Sequence, residues 1–216
     1  VHKIMNIINR FYQKWYLVIG GLGIAVGILI CIFLVGRMTQ ETSLQKGIAD
    51  EIIRFHVIAN SDTDEDQALK MKVKNEVVAY METFLKDAHS IDATRTCIKE
   101  NMDKIQNKAV EIINREGYAY PAKASLTWCY FPMKSYGDIT FPAGDYEALR
   151  IQIGEAEGKN WWCVLYPNLC FIDSIHAVVP EDEKEELKNV LTEDEYDSLF
   201  SWKKNEYKIG WKYLPF

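Results

Sequence analysis

The first 36 residues carry no acidic side chain, and the whole chain of 216 residues has only six prolines, twelve glycines and four histidines. So little proline and glycine, without a repeat, excludes collagen-like and proline-rich architectures, and 48% hydrophobic content excludes a disordered chain. There is no Gly-x-Ser-x-Gly, no Walker sequence, no Gly-x-Gly-x-x-Gly and no His-Glu-x-x-His, which removes the footing for serine hydrolase, nucleotide and zinc-protease readings. The histidines (His2, His56, His89, His176) show no signature spacing with a serine or cysteine. Residues 37–216 hold 22 Lys and Arg against 31 Asp and Glu, a net charge of −9. A surface of that sign repels phosphate backbones, so no nucleic-acid partner is expected.

What is present at the N-terminus is a long apolar run. Residues 15–36, WYLVIGGLGIAVGILICIFLVG, contain no charge over 22 positions. As a helix they cross a hydrocarbon core of about 30 Å. A cleaved signal peptide has a shorter apolar stretch and a small-x-small site, so an uncleaved anchor is expected, the alternative being secretion after cleavage. Lys3, Arg10 and Lys14 precede the run and only Arg37 follows it closely, which by the positive-inside rule leaves residues 1–14 in the cytoplasm and the rest of the chain outside. Trp15 and Tyr16 are expected at the inner interface.

Four of the five cysteines fall outside the run: Cys97, Cys129, Cys163 and Cys170, which permit three complete pairings. Cys163 and Cys170 bracket a turn at Pro167-Asn168 that can bring their Cα atoms within disulfide range, and the competing reading is a pair of buried free thiols. No second close Cys or His pair completes a zinc site, so no metal and no cofactor is expected.

The outer part reads as α+β. Residues 37–50 form a polar juxtamembrane stalk. Strand patterns cover Ile52–Ala59, Lys123–Phe131, Glu147–Ile153 and Trp161–Tyr166, the last two as a hairpin. Between the first and second, Leu69, Val73, Val77, Tyr80 or Met81, and Phe84 recur at helical spacing. Ile98, Met102, Ile105, Ala109 and Ile112 do so again, in a second helix from about Ala93 to a stop at Gly117. The expected fold is a mainly antiparallel four-stranded sheet covered by two helices on one face, over residues 51–175, preceded by a single transmembrane helix. Residues 176–216 follow as an acidic helical segment, with Thr192 and Glu195 as a capping box, and a basic aromatic tail.

Candidate chemistry is sparse. Asp62-Thr63-Asp64-Glu65-Asp66 imitates half of a calcium loop, but Gln67 stands where that loop needs glycine and Val73 where it needs glutamate. These acids read as a helix N-terminus. His56 lies opposite the core face of its strand and reads as a partly exposed sheet residue rather than a base. The aromatic segment Asn160–Phe171 stands out more. Trp161 and Trp162 must point to opposite faces of a strand, so one can enter the core while the other stays available. With Tyr166, Pro167, Asn168 and Phe171 the free tryptophan forms a candidate recognition patch. The competing reading places all these aromatics in the core.

Two stretches, Ile53–Lys74 (IRFHVIANSDTDEDQALKMKVK) and Phe141–Phe171 (FPAGDYEALRIQIGEAEGKNWWCVLYPNLCF), closely resemble the stage II sporulation protein R family of endospore-forming bacteria. The likeness spans about residues 50–172. It implies a non-enzymatic signalling protein of the forespore membrane, with its main domain in the intermembrane space. Its partner would be a membrane-embedded sporulation aspartic protease, which matures the precursor of mother-cell sigma factor E. No small-molecule substrate is implied. The residues matching the family are Asn60, Ser61 and Asp62 at the strand-to-helix corner, Asp145 and Tyr146 at a strand start, and Trp161, Trp162, Cys163 and Cys170. Of these, Asn60 and Asp62 join the aromatic patch as candidate partner-binding residues. The tail, with Lys203, Lys204, Lys208 and Lys212 among Tyr207, Trp211 and Tyr213, offers a second attachment to an anionic membrane surface or an added edge strand. A membrane-anchored envelope hydrolase and a structural membrane-attached interaction module are the competing functions.

Overall fold

The computed structural model describes residues 2–167, 169–170 and 178–201, except for the side chains of 2–14, 16 and 17. Asn168, Phe171, His176, the tail from residue 202 and the side chain of Tyr16 therefore lie outside the described residues. The elements in order are α1 (His2–Glu51), β1 (Ile53–Ile58), α2 (Asp64–Leu85), α3 (Ile91–Glu100), α4 (Met102–Arg115), β2 (Ala122–Phe131), β3 (Lys134–Tyr136), β4 (Ile139–Phe141), β5 (Gly144–Ile153), β6 (Asn160–Tyr166), α5 (Glu181–Val190) and α6 (Glu193–Ser201). The chain forms two compact units, Val1–Ser43 and Leu44–Phe216.

In the first unit α1 displays Leu22, Ile24, Leu29 and Phe33 as exposed apolar groups. Among the described residues it is the helix long and apolar enough to cross a membrane. Residues 37–51 are helical as well, and from Leu44 onward they belong to the second unit, where Ile48, Ala49 and Ile52 are buried.

The second unit is built on a four-stranded sheet in the order β2-β5-β1-β6. β2 pairs antiparallel with β5 and β6 antiparallel with β1, but β1 and β5 run parallel, with Phe55 opposite Leu149 and Val57 opposite Ile151. The sheet is therefore mixed, mainly but not purely antiparallel, and β5 and β6 are not a hairpin because β1 lies between them. The helices that follow β1 carry the chain across the sheet, so it returns in β2 at an edge and β5 fills the gap parallel to β1. The single helix expected from Ala93 to Glu116 is two. Asn101, whose side-chain amide donates to the Cys97 carbonyl at 2.9 Å, competes with the backbone and breaks it.

One core stands on the odd-numbered residues of β1. Ile53, Phe55 and Val57 pack with Leu149, Ile151 and Ile153 against Leu69, Val73, Val77 and Met81 of α2, Ile98 of α3 and Ile105, Ala109 and Ile112 of α4. The local signals match. Thr63 accepts from the Asp66 amide at the start of α2, whose first turn holds three acids, and Gly117 ends α4 at φ +86°. A second core occupies the other face. It gathers Ile48 and Ala49 of α1 with Ile52 just after it, Phe131, Ile139, Phe141, Tyr146 and Val164, Leu187 of α5, Leu199 of α6 and Leu191 between those two helices. Lys184 of α5 pairs with Asp138 at 2.9 Å in the β3–β4 turn. At α6 the capping box forms, the Thr192 amide donating to Glu195 at 2.9 Å.

With cores on both sides, every residue of β1 is buried, including two that are polar. Arg54 is 0% exposed. Its Nε donates to the Cys163 carbonyl at 3.1 Å and its Nη2 to the Tyr136 hydroxyl at 3.0 Å. The guanidinium carbon lies 4.4 Å from the Phe131 ring centre, 5.0 Å from Tyr146 and 5.3 Å from Phe141. Among the described residues no carboxylate pairs with it. Burial pushes the Tyr146 phenol up to about 12 and raises Tyr136 too, so both rings stay neutral around the cation.

Removing the side chain opens a large cavity and orphans the Tyr136 hydroxyl. Arg54→Ala is therefore expected to lower the unfolding free energy by about 3–5 kcal/mol. Arg54→Lys keeps the charge but not the planar fork, and should cost about half as much. Urea titration of the detergent-solubilised chain, followed by tryptophan fluorescence, measures both; equal losses would show that the planar fork rather than the charge is what the cage holds.

Candidate functional site

β6 places its two tryptophans as strand geometry requires, on opposite faces, but each face has a core. Trp161 meets Phe55 edge-on at 5.9 Å with the Lys74 ammonium 4.6 Å from its ring centre. Trp162 stacks on His56 at 3.9 Å and tilts against Phe131 at 4.6 Å. Both indoles are half-buried, each with one part engaged in a core and the remainder at the surface.

His56 is not the partly exposed sheet residue the one-sided reading implied: it is 5% exposed. The second core covers the face on which it sits. Its Nε2 lies 2.8 Å from Asn160 Oδ1 and its Nδ1 has no hydrogen-bond partner among the described residues. Burial, with Arg150 and Arg54 nearby, brings its pKa down to about 4 against the opposing Asn160 contact. The ring under Trp162 is thus a neutral plate at physiological pH.

β6 runs into a cis Tyr166-Pro167 bond and a loop closed by the Cys163–Cys170 disulfide, whose Cα atoms are 5.5 Å apart. Tyr166 and Pro167 line a groove of about 230 Å³ with Leu85, Lys86, His89 and Glu186. Burial and the charges of Glu51 and Glu186 raise the Tyr166 phenol. Glu82 also lines the groove, so acids and bases are mixed there. Among the described residues no three His, Cys, Asp or Glu side chains are grouped to hold a metal ion.

Asn60 and Asp62 lie at the other end of β6, away from Tyr166; Asn60 is engaged within the chain at both amide atoms, and the exposed Asp62 at one carboxylate oxygen. Asn60 Oδ1 accepts from the Glu155 amide at 3.0 Å and its Nδ2 donates to Asp66 at 2.8 Å; Asp62 accepts from the Lys159 amide at 2.6 Å. Ser61 Oγ donates to Asp66 at 2.6 Å. For Asp66 burial opposes ionisation, but the hydrogen bonds from Ser61, Asn60 and Tyr120 outweigh it and hold the carboxyl below its ordinary range. The corner thereby clamps the β5–β6 loop, and a side chain at Gly158 would collide with the Ser61 carbonyl. Sequence reasoning did not single out Arg54, Trp128 or Tyr130. Trp128 and Tyr130 are 55% and 62% exposed on β2, and the alternation of β2 was the signal that could have marked them.

The folded pKa of His56 lies below its unfolded value of about 6.5, so the folded chain binds fewer protons. Its contribution is fully present above pH 6.5 and is lost as pH falls toward 4. That window should cost the native state about 3 kcal/mol at most. His56→Gln is expected to flatten the stability profile there, as read by urea midpoints at successive pH values; an unchanged slope would show that the ring does not titrate under Trp162.

The family model for stage II sporulation protein R matches residues 49–176, which include the whole sheet, the corner and the disulfide loop. A curated relative, stage II sporulation protein R of Bacillus subtilis (strain 168), is 37% identical over 180 residues, covering 77% of this chain and 80% of its own. No solved structure matches. A match over more than half the chain, with a relative aligned over most of both lengths, shows that the chain belongs to the stage II sporulation protein R family.

Proposed function

We propose that this chain is a non-enzymatic extracytoplasmic signal of sporulation that activates a membrane-embedded aspartic protease, which then matures the precursor of mother-cell sigma factor E. Family membership carries the reading. The apolar helix supports anchoring in the forespore membrane, and the positive charges before it favour a cytoplasmic N-terminus. The Cys163–Cys170 disulfide suits an oxidising exterior, here the space between the two membranes. A binding role fits a site made of half-buried aromatics and a shallow mixed groove. In this reading the outer parts of Trp161 and Trp162, with Tyr166 and Pro167, contact the protease and bias it toward its active arrangement.

The test is reconstitution in a non-sporulating host that makes the protease, the sigma precursor and this chain in its membrane. Precursor cleavage is expected only when the domain is exported. Trp162→Ala should reduce it more than Trp161→Ala, because the loss also unseats His56, with folding checked by circular dichroism. Cleavage that proceeds equally without the chain would sink the activator reading, and full activity of both folded variants would clear the tryptophans of contact.

A further inference from the structure

β2 is an edge of the sheet, and its outer side has two unlike halves. The Gly154 amide donates to the Pro121 carbonyl at 2.9 Å, so odd-numbered residues of this strand turn their amides and carbonyls toward β5 and even-numbered ones turn theirs outward. At Ala124 the outward amide is already taken, donating to Gln106 of α4 at 3.1 Å. Beyond that plug no strand pairs with Leu126, Trp128 or Tyr130 among the described residues. Among the described residues the Trp128 carbonyl receives only the Thr127 hydroxyl, at 3.4 Å.

The same stretch bears exposed large side chains, and outside α1 such exposure is concentrated here. Trp128 is 55% exposed, Tyr130 62% and Met133 48%. An open backbone edge flanked by aromatic rings is the arrangement to which an extended polypeptide adds as a further strand: main-chain bonds provide affinity and the rings provide side-chain contacts.

Three occupants from outside the chain are conceivable, and the geometry separates them. A lipid surface suits the rings but not the backbone, since amides and carbonyls facing hydrocarbon stay unpaired. A second copy would pair β2 with β2, but Gln106 confines the open edge to Leu126–Tyr130. A ladder of five residues falls well short of the ~1,200 Å² that a free-standing pair buries. A short ladder suffices when the partner is already held nearby. Gln45 donates to the Asp145 carbonyl at 3.2 Å on one side of β5, and Tyr130 pairs with Asp145 on the other, so the two lie within about 10 Å. Gln45 follows Arg37, at the end of the apolar run, by eight residues, no more than about 28 Å of chain. A domain on so short a tether shares its membrane with the partner, at a high effective concentration.

We infer that the outer edge of β2 from Leu126 to Tyr130 is a strand-addition site for an extended external segment of the membrane-embedded partner. The inference rests on the protease-activator reading and names a contact surface for it on the opposite edge of the sheet from Trp161 and Trp162.

The test uses the full-length chain co-expressed with the protease and sigma precursor, with a photoreactive phenylalanine derivative at position 128 or, as control, at exposed Met71. Irradiation should link position 128 to the protease and position 71 to nothing. Tyr130→Pro removes an outward amide and a ring while sparing the β5 ladder, and should lower precursor cleavage about tenfold at equal protein level. Trp128→Lys alters no backbone group, serves if the proline variant fails to fold, and should act in the same direction. Wild-type cleavage by both variants, or cross-links from position 128 only to lipid or to a second copy, would overturn the site while leaving the activator reading intact. A position-128 cross-link to the protease without any cleavage by the unaltered chain would do the reverse, supporting the site and removing the activator reading.

Discussion

A cation with no counter-ion among the described residues sits at the middle of this domain, and the arrangement around it follows from the need to keep it there. Taking a guanidinium out of water costs several kcal/mol even after relaxation. Arg54 recovers part of that from a carbonyl, a phenol and the faces of aromatic rings. Those groups come from β6, β3, β2, β4 and β5, so one side chain on β1 bears on every other strand of both sheets. The short β3–β4 hairpin, too small to be stable alone, is held because Tyr136 and Phe141 complete the cage. Asp138 at its turn then fastens α5 through Lys184 and the Val179 amide.

This second core changes what the neighbouring residues can do. A two-layer domain would leave Trp162 and His56 facing water. Here the stacked pair closes the edge of the aromatic cluster, with Phe131 touching Arg54, His56 and Trp162 in turn. A force applied at the outer part of Trp162 therefore meets a continuous chain of packed rings ending on the buried cation. Such a surface is pre-organised, and little side-chain entropy is lost when something binds to it.

The sequence shows the first core clearly and the second hardly at all, for a physical reason. Helical spacing in α2 and α4, the acidic start of α2 and the capping box at Thr192 are local patterns, and they emerge in the structure nearly residue for residue. The strands themselves were legible too. Their partners were not, because parallel pairing of β1 with β5 depends on where three intervening helices return the chain. In β1, IRFHVI alternates apolar with basic residues, the ordinary mark of a strand wet on one side. Arg54 and His56 defeat that rule by being buried with aromatic rings instead of water. The tight Cys163–Cys170 spacing was readable, whereas the groove beside Tyr166 needed α5, an acidic helix whose contacts have no signal in its own composition.

The corner at Asn60–Asp62 organises the chain on both sides of it. Its polar groups converge on Asp66 and on the backbone of the β5–β6 loop. By holding Lys159 and the loop before it, the corner fixes where β6 begins, and hence which tryptophan meets Phe55 and which meets His56. A shift of one residue would exchange them. The polar signature and the aromatic one thus form a single device: the first sets the register, and the register decides which part of each indole is left at the surface.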